Sequence, residues 1–131
     1  PTRRSSDLLQ QVIDSGDTFR FVYQQPPLRE IPITPVGEFL ARYTAGERNF
    51  QNIDLPKAEL SHFDLKGCNL IGANLAGANL SFSCLEGAKL VAANLENANL
   101  SHANLRKAKL VGANLKNTYF EGADLTYADL Y

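Results

Sequence analysis

From residue 50 onward, a large apolar residue recurs at every fifth position without interruption. The series runs Phe50, Leu55, Leu60, Leu65, Leu70 and on through Leu115, Phe120, Leu125 and Leu130, 17 sites of which 15 are Leu. With this position as i, position i−2 is small at 14 sites (Ala73, Ala78, Ala88 and Ala93 among them), and i−1 is Asn or Asp at 12. An α-helix cannot use this period, because five steps of about 100° leave successive leucines about 140° apart around the axis. A flat strand cannot use it either, because an odd spacing turns each successive Leu to the opposite face. A corner after each unit resolves the conflict. Each five-residue unit becomes one short extended side, four sides close a coil, and coils stack at about the 4.8 Å spacing of neighbouring strands. Leu then fills the interior, and a short period of this kind defines a repeat solenoid.

The corner falls at i+2. Gly67, Gly72, Gly77, Gly87, Gly112 and Gly122 stand there, with Asn52, Asn97 and Asn117. Gly and Asn tolerate positive φ, which points to type II turns. His62, Phe82, His102, Lys107 and Tyr127 occupy the same position, and a different turn type is expected at them.

The unit, plain in the run GANLAGANL at residues 72–80, resembles the pentapeptide-repeat family, whose motif reads A-(D/N)-L-x-x. The resemblance covers residues 48–131. It implies an all-β, right-handed quadrilateral β-helix of about four coils.

Three segments are expected: an extension over 1–35, a capping helix over 36–47 and the solenoid over 48–131. In the extension, Asp7–Ser15 reads as a short helix with Leu8, Leu9, Val12 and Ile13 on one face and Gly16 closing it. Thr18–Gln24 alternates as a strand, and Pro26, Pro27, Pro32 and Pro35 keep the next stretch extended. Helical spacing then returns with Val36, Phe39, Leu40 and Tyr43, and Gly46 supplies a stop. A first coil exposes unpaired backbone and leucines that need cover, so Phe39, Leu40 and Tyr43 are expected to cap it. The bulky Ile53 and Phe63 at i−2 suit that role. The segment around GEFLARYTAGERNF resembles the lead-in of many cyanobacterial pentapeptide repeats, including C-terminal tails of serine/threonine kinases. The other end gathers Tyr119, Phe120, Tyr127 and Tyr131. It reads as a self-association end for a homodimer through the C-terminal coil, as a cut continuation, or as a simple stop.

Residues 20 apart stack, so the surface reads as columns. One side carries Ile71, Val91, Val111 and Tyr131 at i+1, an apolar stripe where side chains point outward. Either the chain's own Thr18–Gln24 strand and proline segment cover it, or it is a partner surface. A second side carries Lys66, Glu86, Arg106 and Thr126, read as a solvated face whose alternating charges lend modest support to register. A third has Ser61, Ser81, Ser101 and Glu121 beside His62, Phe82 and His102. The two histidines lie about 10 Å apart, too far to share a zinc ion. The fourth is rich in Asn, with Asn74, Asn94 and Asn114 expected to bond backbone and each other.

Two cysteines make no disulfide framework, and Cys68 and Cys84 are expected as free thiols in a reducing cytoplasm. No apolar run approaches the roughly 18 residues of a membrane span, and no signal-peptide pattern opens the chain. The chain contains no Met and begins Pro-Thr-Arg-Arg, as expected of a piece of something longer. Arg3-Arg4-Ser5-Ser6 resembles a basophilic kinase target or a linker. There is no phosphate loop, nucleophile motif or metal-ligand cluster, nor a kinase signature. No catalytic residue, cofactor or metal is therefore expected. The solenoid balances eight Lys and Arg against eight Asp and Glu. That neutrality argues against the family's DNA-mimic role as a DNA gyrase inhibitor, since a duplex carries one charge per about 1.7 Å. It argues against nucleic-acid binding as well. The expected role is a non-enzymatic protein-interaction or scaffold domain, the regulatory C-terminal part of a cyanobacterial signalling protein such as a serine/threonine kinase. A DNA mimic and a stand-alone structural module are the alternatives. The expected partner residues are Ile71, Val91, Val111 and Tyr131, then Phe82.

Overall fold

The computed structural model describes residues 9–13, 19–23 and 34–131. The chain divides into two units, Pro1–Thr34 and Pro35–Tyr131. In the first, β1 (Leu9–Ile13) and β2 (Phe19–Tyr23) form an antiparallel pair, with Leu9 opposite Tyr23, Gln11 opposite Phe21 and Ile13 opposite Phe19. The expected helix over Asp7–Ser15 is thus replaced by a strand. An isolated helix of two turns is marginal, whereas LQQVI ends on two β-branched residues and has an aromatic strand close in sequence to pair with. Gly16, the Arg3–Ser6 run and Pro26, Pro27 and Pro32 lie outside the described residues.

The second unit opens with α1, Pro35–Thr44. Pro35 fits the first helical position, where its missing N–H costs nothing. Glu38 in the first turn and Arg42 in the last suit the helix dipole. The helix stops in a Schellman motif. The Gly46 N–H donates to the Tyr43 carbonyl at 2.9 Å and the Glu47 N–H to the Arg42 carbonyl at 3.0 Å. Gly46 sits at φ +99°, a conformation that suits it.

After α1 the chain coils with a period of 20. Parallel bridges join Asn49 to Asn69, Asn69 to Lys89 and Lys89 to Lys109, and the same offset recurs on every side. From Leu55 to Leu110, each Leu N–H of the column donates to the carbonyl 19 residues on, as Leu70 does to Lys89 at 2.7 Å. Each corner closes with a bond across the turn, such as the Ala73 N–H to the Leu70 carbonyl at 3.0 Å. All corners are left-handed. His62, Phe82, His102, Lys107 and Tyr127 have φ between 60° and 62°, like Asn52 at 63°, so no separate turn type exists at them. The stacked ladder imposes one corner geometry on whatever residue stands there. None of the non-glycine corner residues is β-branched, consistent with the penalty such residues meet in this region.

The core is the leucine column with its small i−2 neighbours. Leu55 through Leu110 are buried, as are Cys68 and the i−2 alanines from Ala58 to Ala108. Ser83 is the buried polar member of this set, and its hydroxyl donates to the Leu80 carbonyl at 2.6 Å. Burial weakens toward the other end, where Leu115, Phe120 and Leu125 are half-buried and Leu130 is exposed.

α1 covers the first coil. Phe39 is fully buried between Phe50 and Phe63, at ring-centroid distances of 4.6 and 5.7 Å. Tyr43 packs on Phe63 at 4.8 Å, and its hydroxyl donates to the Asp64 carbonyl at 2.6 Å. The Arg42 guanidinium lies over the Phe50 ring at 5.0 Å and that of Arg48 over the Tyr43 ring at 3.8 Å. Leu40 departs from expectation. It is 38% exposed, since it lies about 100° round the helix from Phe39. Val36, Phe39 and Tyr43 make up the contact stripe instead.

Candidate interaction face

The side chains at i−1 and i+1 flank each inward Leu and form the four outer faces. A local bond organises them. The Oδ1 of Asn or Asp at i−1 accepts the backbone N–H of i+1, at 3.1 Å from Ile71 to Asn69, 3.1 Å from Ala76 to Asn74 and 3.0 Å from Arg106 to Asn104. This Asx arrangement satisfies an amide that the coil-to-coil ladder does not use. The expected backbone role of Asn74, Asn94 and Asn114 is seen at all three. Their amide groups do not bond each other, however. Asn74 Nδ2 donates to Asp54 and Asn114 Nδ2 to Glu96.

Ile71, Val91 and Val111 stack in one column, half-buried, and Tyr131 follows at 99% exposure. The equivalent columns on the other faces are Pro56–Ala76–Glu96–Lys116, Ser61–Ser81–Ser101–Glu121 and Lys66–Glu86–Arg106–Thr126. Only this face presents large apolar side chains coil after coil. It is flanked on one side by the small corner residues Gly72, Ala92 and Gly112, and on the other by the column Asn69, Lys89, Lys109 and Asp129. Phe82 is not part of it. It stands at a corner of a different face, 53% exposed, between His62 and His102. The three rings stack at centroid separations of 5.0 and 4.7 Å. His102 in turn lies over Gly122, where an added Cβ would come within 2.4 Å of Nδ1. Tyr119 and Tyr127 are exposed at the C-terminal coil, while Phe120 packs partly against the core.

The charged columns are mostly unpaired. Among the described residues the ion pairs are Arg42–Glu47 and Arg106–Asp124, the latter at 3.5 Å. Lys66, Glu86 and Arg106 form no ion pairs with one another up the stack, in keeping with a solvated face. Arg106 reaches Asp124 instead, on its own face, leaving Glu86 without it. The Thr126 hydroxyl and amide, and then Arg106, hold the Asp124 carboxyl below its ordinary value. A hydrogen bond from Arg42 does the same for Glu47. Burial pushes the Cys68 thiol up, while Cys84 is partly exposed, and both are free. No group of three His, Cys, Asp or Glu among the described residues could hold a metal ion. No helix among them is long and apolar enough to cross a membrane.

A coil of four five-residue sides, with inward Leu, small i−2 and Asx-capped sides, defines a five-residue-repeat solenoid. The family model for pentapeptide repeats matches residues 53–90 and 103–131, with 8 copies, and the chain belongs to that family. Among solved structures, it is similar to a pentapeptide repeat protein of Nostoc PCC 7120, at 38% identity and a TM-score of 0.47, over 72% of this chain and 74% of that one. It is also similar to HetL, a pentapeptide repeat protein involved in heterocyst differentiation regulation in Nostoc sp. strain PCC 7120. That match has 39% identity and a TM-score of 0.46, over 70% of this chain and 43% of HetL. A third is the pentapeptide repeat protein Rfr23 of Cyanothece 51142, at 32% identity and a TM-score of 0.38, over 63% of this chain and 64% of that one. No curated protein matches.

Proposed function

We propose that this chain is a non-enzymatic protein-interaction module, and that Ile71, Val91, Val111 and Tyr131 form its partner-binding column. The observation that carries this reading is the alignment. Large apolar groups repeat on one rigid face while the corresponding columns elsewhere are polar or small. Single exposed apolar residues mean little on a protein surface, but a continuous patch marks a contact site. In this reading the coil is the right-handed quadrilateral β-helix that family membership implies. The finer role is that of a regulatory C-terminal part of a larger cyanobacterial signalling protein, such as a serine/threonine kinase. It rests on the resemblance of the lead-in around α1, and the parent reading frame tests it.

The test of the face is the double substitution Val91→Lys with Val111→Lys. The variant is expected to keep the circular dichroism spectrum and thermal midpoint of the parent and to lose its protein partner in affinity capture. Unchanged capture would reject the column as the contact, and loss of folding would make it an internal packing surface.

A second reading concerns the C-terminal coil, where Tyr119, Tyr127, Leu130 and Tyr131 are all exposed. It makes this end a homodimer surface. Sedimentation of the parent and of Tyr119→Ser with Tyr127→Ser separates the cases: a dimer should dissociate in the variant.

A further inference from the structure

The apolar column has a neighbour that breaks the pattern of the repeat. At i−1 on the same face stand Lys89 and Lys109, directly bridged to one another in parallel register. Neither makes an ion pair among the described residues. Like charges placed opposite one another on adjacent strands destabilise the pair, so this arrangement works against the scaffold. Lys107 stands at the corner beside them, also outside any ion pair. The next residue in the column is Asp129, whose Oδ1 accepts the Tyr131 N–H.

The substitution has a second consequence. A lysine cannot supply the Asx acceptor, so the N–H groups of Val91 and Val111 have no acceptor among the described residues, whereas those of Ile71 and Tyr131 are capped by Asn69 and Asp129. The i+1 amides of Ser61, Glu86 and Glu121 are also uncapped, but no two of these stack in adjacent coils. Val91 and Val111 do. One patch therefore offers two ammonium groups and two open backbone donors beside two apolar side chains. Charge-assisted bonds from such donors hold carboxylates well.

We infer that this patch receives an extended acidic segment of a partner protein. Its carboxylates are held by Lys89, Lys109 and the Val91 and Val111 amides, and its apolar side chains lie on Ile71, Val91 and Val111. The inference rests on the reading of this face as the interaction surface and adds the chemistry of the partner. Carboxylates complement the unpaired cations, and apolar side chains complement the neighbouring column of Ile71, Val91 and Val111.

The test uses the full 131-residue chain and three labelled peptides, with alternating Glu-Val, Lys-Val and Thr-Val sequences, measured by fluorescence anisotropy. The Glu-Val peptide is expected to bind, more weakly as salt rises, and the Lys-Val peptide is not. Lys89→Asn with Lys109→Asn should weaken Glu-Val binding at least tenfold while raising the thermal midpoint, because it restores two caps and removes the repulsion. Amide shifts of Val91 and Val111 in NMR spectra should move on titration. Absence of Glu-Val binding, or equal binding by the parent and the Asn variant, would overturn the inference. So would tighter binding to phosphatidylglycerol vesicles or single-stranded DNA than to the peptide. Thr-Val binding that survives the Lys changes but fails in Val91→Lys with Val111→Lys would sink the inference while leaving the face as an interaction surface. Loss of neither would sink both.

Discussion

The ring of Phe39 in α1 meets the ring of Phe50 in the first repeat at 4.6 Å between centroids, tilted by 58°. This contact joins the cap to the leucine column, since Phe50 is its first member and both rings are fully buried. Phe39→Ala should therefore cost about 3–5 kcal/mol, as for a buried Phe in a packed core. Leu40→Ala, one position along and 38% exposed, should cost much less, about 1 kcal/mol or under. Urea unfolding of the two variants checks the contrast, and equal costs would mean that α1 packs differently.

The corners give a test of backbone strain. Ala92 sits at φ 61°, a conformation that costs an L-residue about 1–2 kcal/mol. Ala92→Gly relieves that strain and adds freedom to the unfolded chain, so a net gain of up to about 1 kcal/mol is expected. Gly87→Ala meets open space and should lose only about 1–2 kcal/mol of backbone preference. Gly72→Ala should lose slightly more, because the exposed Asn52 side chain must turn aside from a Cβ that would fall 2.2 Å from its Oδ1. Thermal denaturation should rank the three in that order.

Acid should destabilise the fold through particular carboxylates. Thr126 and Arg106 depress the Asp124 carboxyl, and Arg42 depresses Glu47. A depressed carboxyl contributes stability in full above its unfolded value, and that contribution is lost as pH falls through the folded one. The thermal midpoint should accordingly decline below about pH 4. Asp124→Asn keeps an acceptor for the Thr126 amide and removes the titration, so it should flatten part of that decline. An identical pH profile for parent and variant would remove Asp124 from the account.

The two thiols should differ in reactivity. Burial disfavours the Cys68 thiolate, and the side chain is wholly covered. Cys84 lies on an outer face, where the Asn104 Nδ2 approaches its Sγ at 3.9 Å. Iodoacetamide should label Cys84 in the native protein and reach Cys68 only on unfolding. Peptide mapping of the labelled sites reads this directly.

The scaffold was legible because its period is unbroken: residues 20 apart do stack, and each inward Leu could be named beforehand. The uniform corner geometry is not legible from the propensity of any single corner residue. Phe82 and Tyr127 dislike positive φ in isolation, yet ladder bonds hold them there, from both neighbouring coils at Phe82 and from the preceding coil at Tyr127. β1 was misread because its partner strand, not its own short apolar pattern, decides its state. Leu40 was included in the cap because spacing alone cannot tell which edge of a broad helical stripe touches the first coil. At the candidate face the column was visible in the sequence. The open amides of Val91 and Val111 were not, although a signal was present in Lys89 and Lys109 where Asn or Asp is usual.

Because each side is five residues long and each coil 20, changes of length act on this molecule like the turning of a screw. Inserting one repeat after Leu90 would leave the interior filled, yet carry everything beyond it a quarter-turn around the axis. Val111 would then leave the line of Val91, and the face would end at mid-height. Only a whole added coil would restore the alignment, so recognition on such a rod tolerates growth in steps of 20 and is scrambled by steps of five.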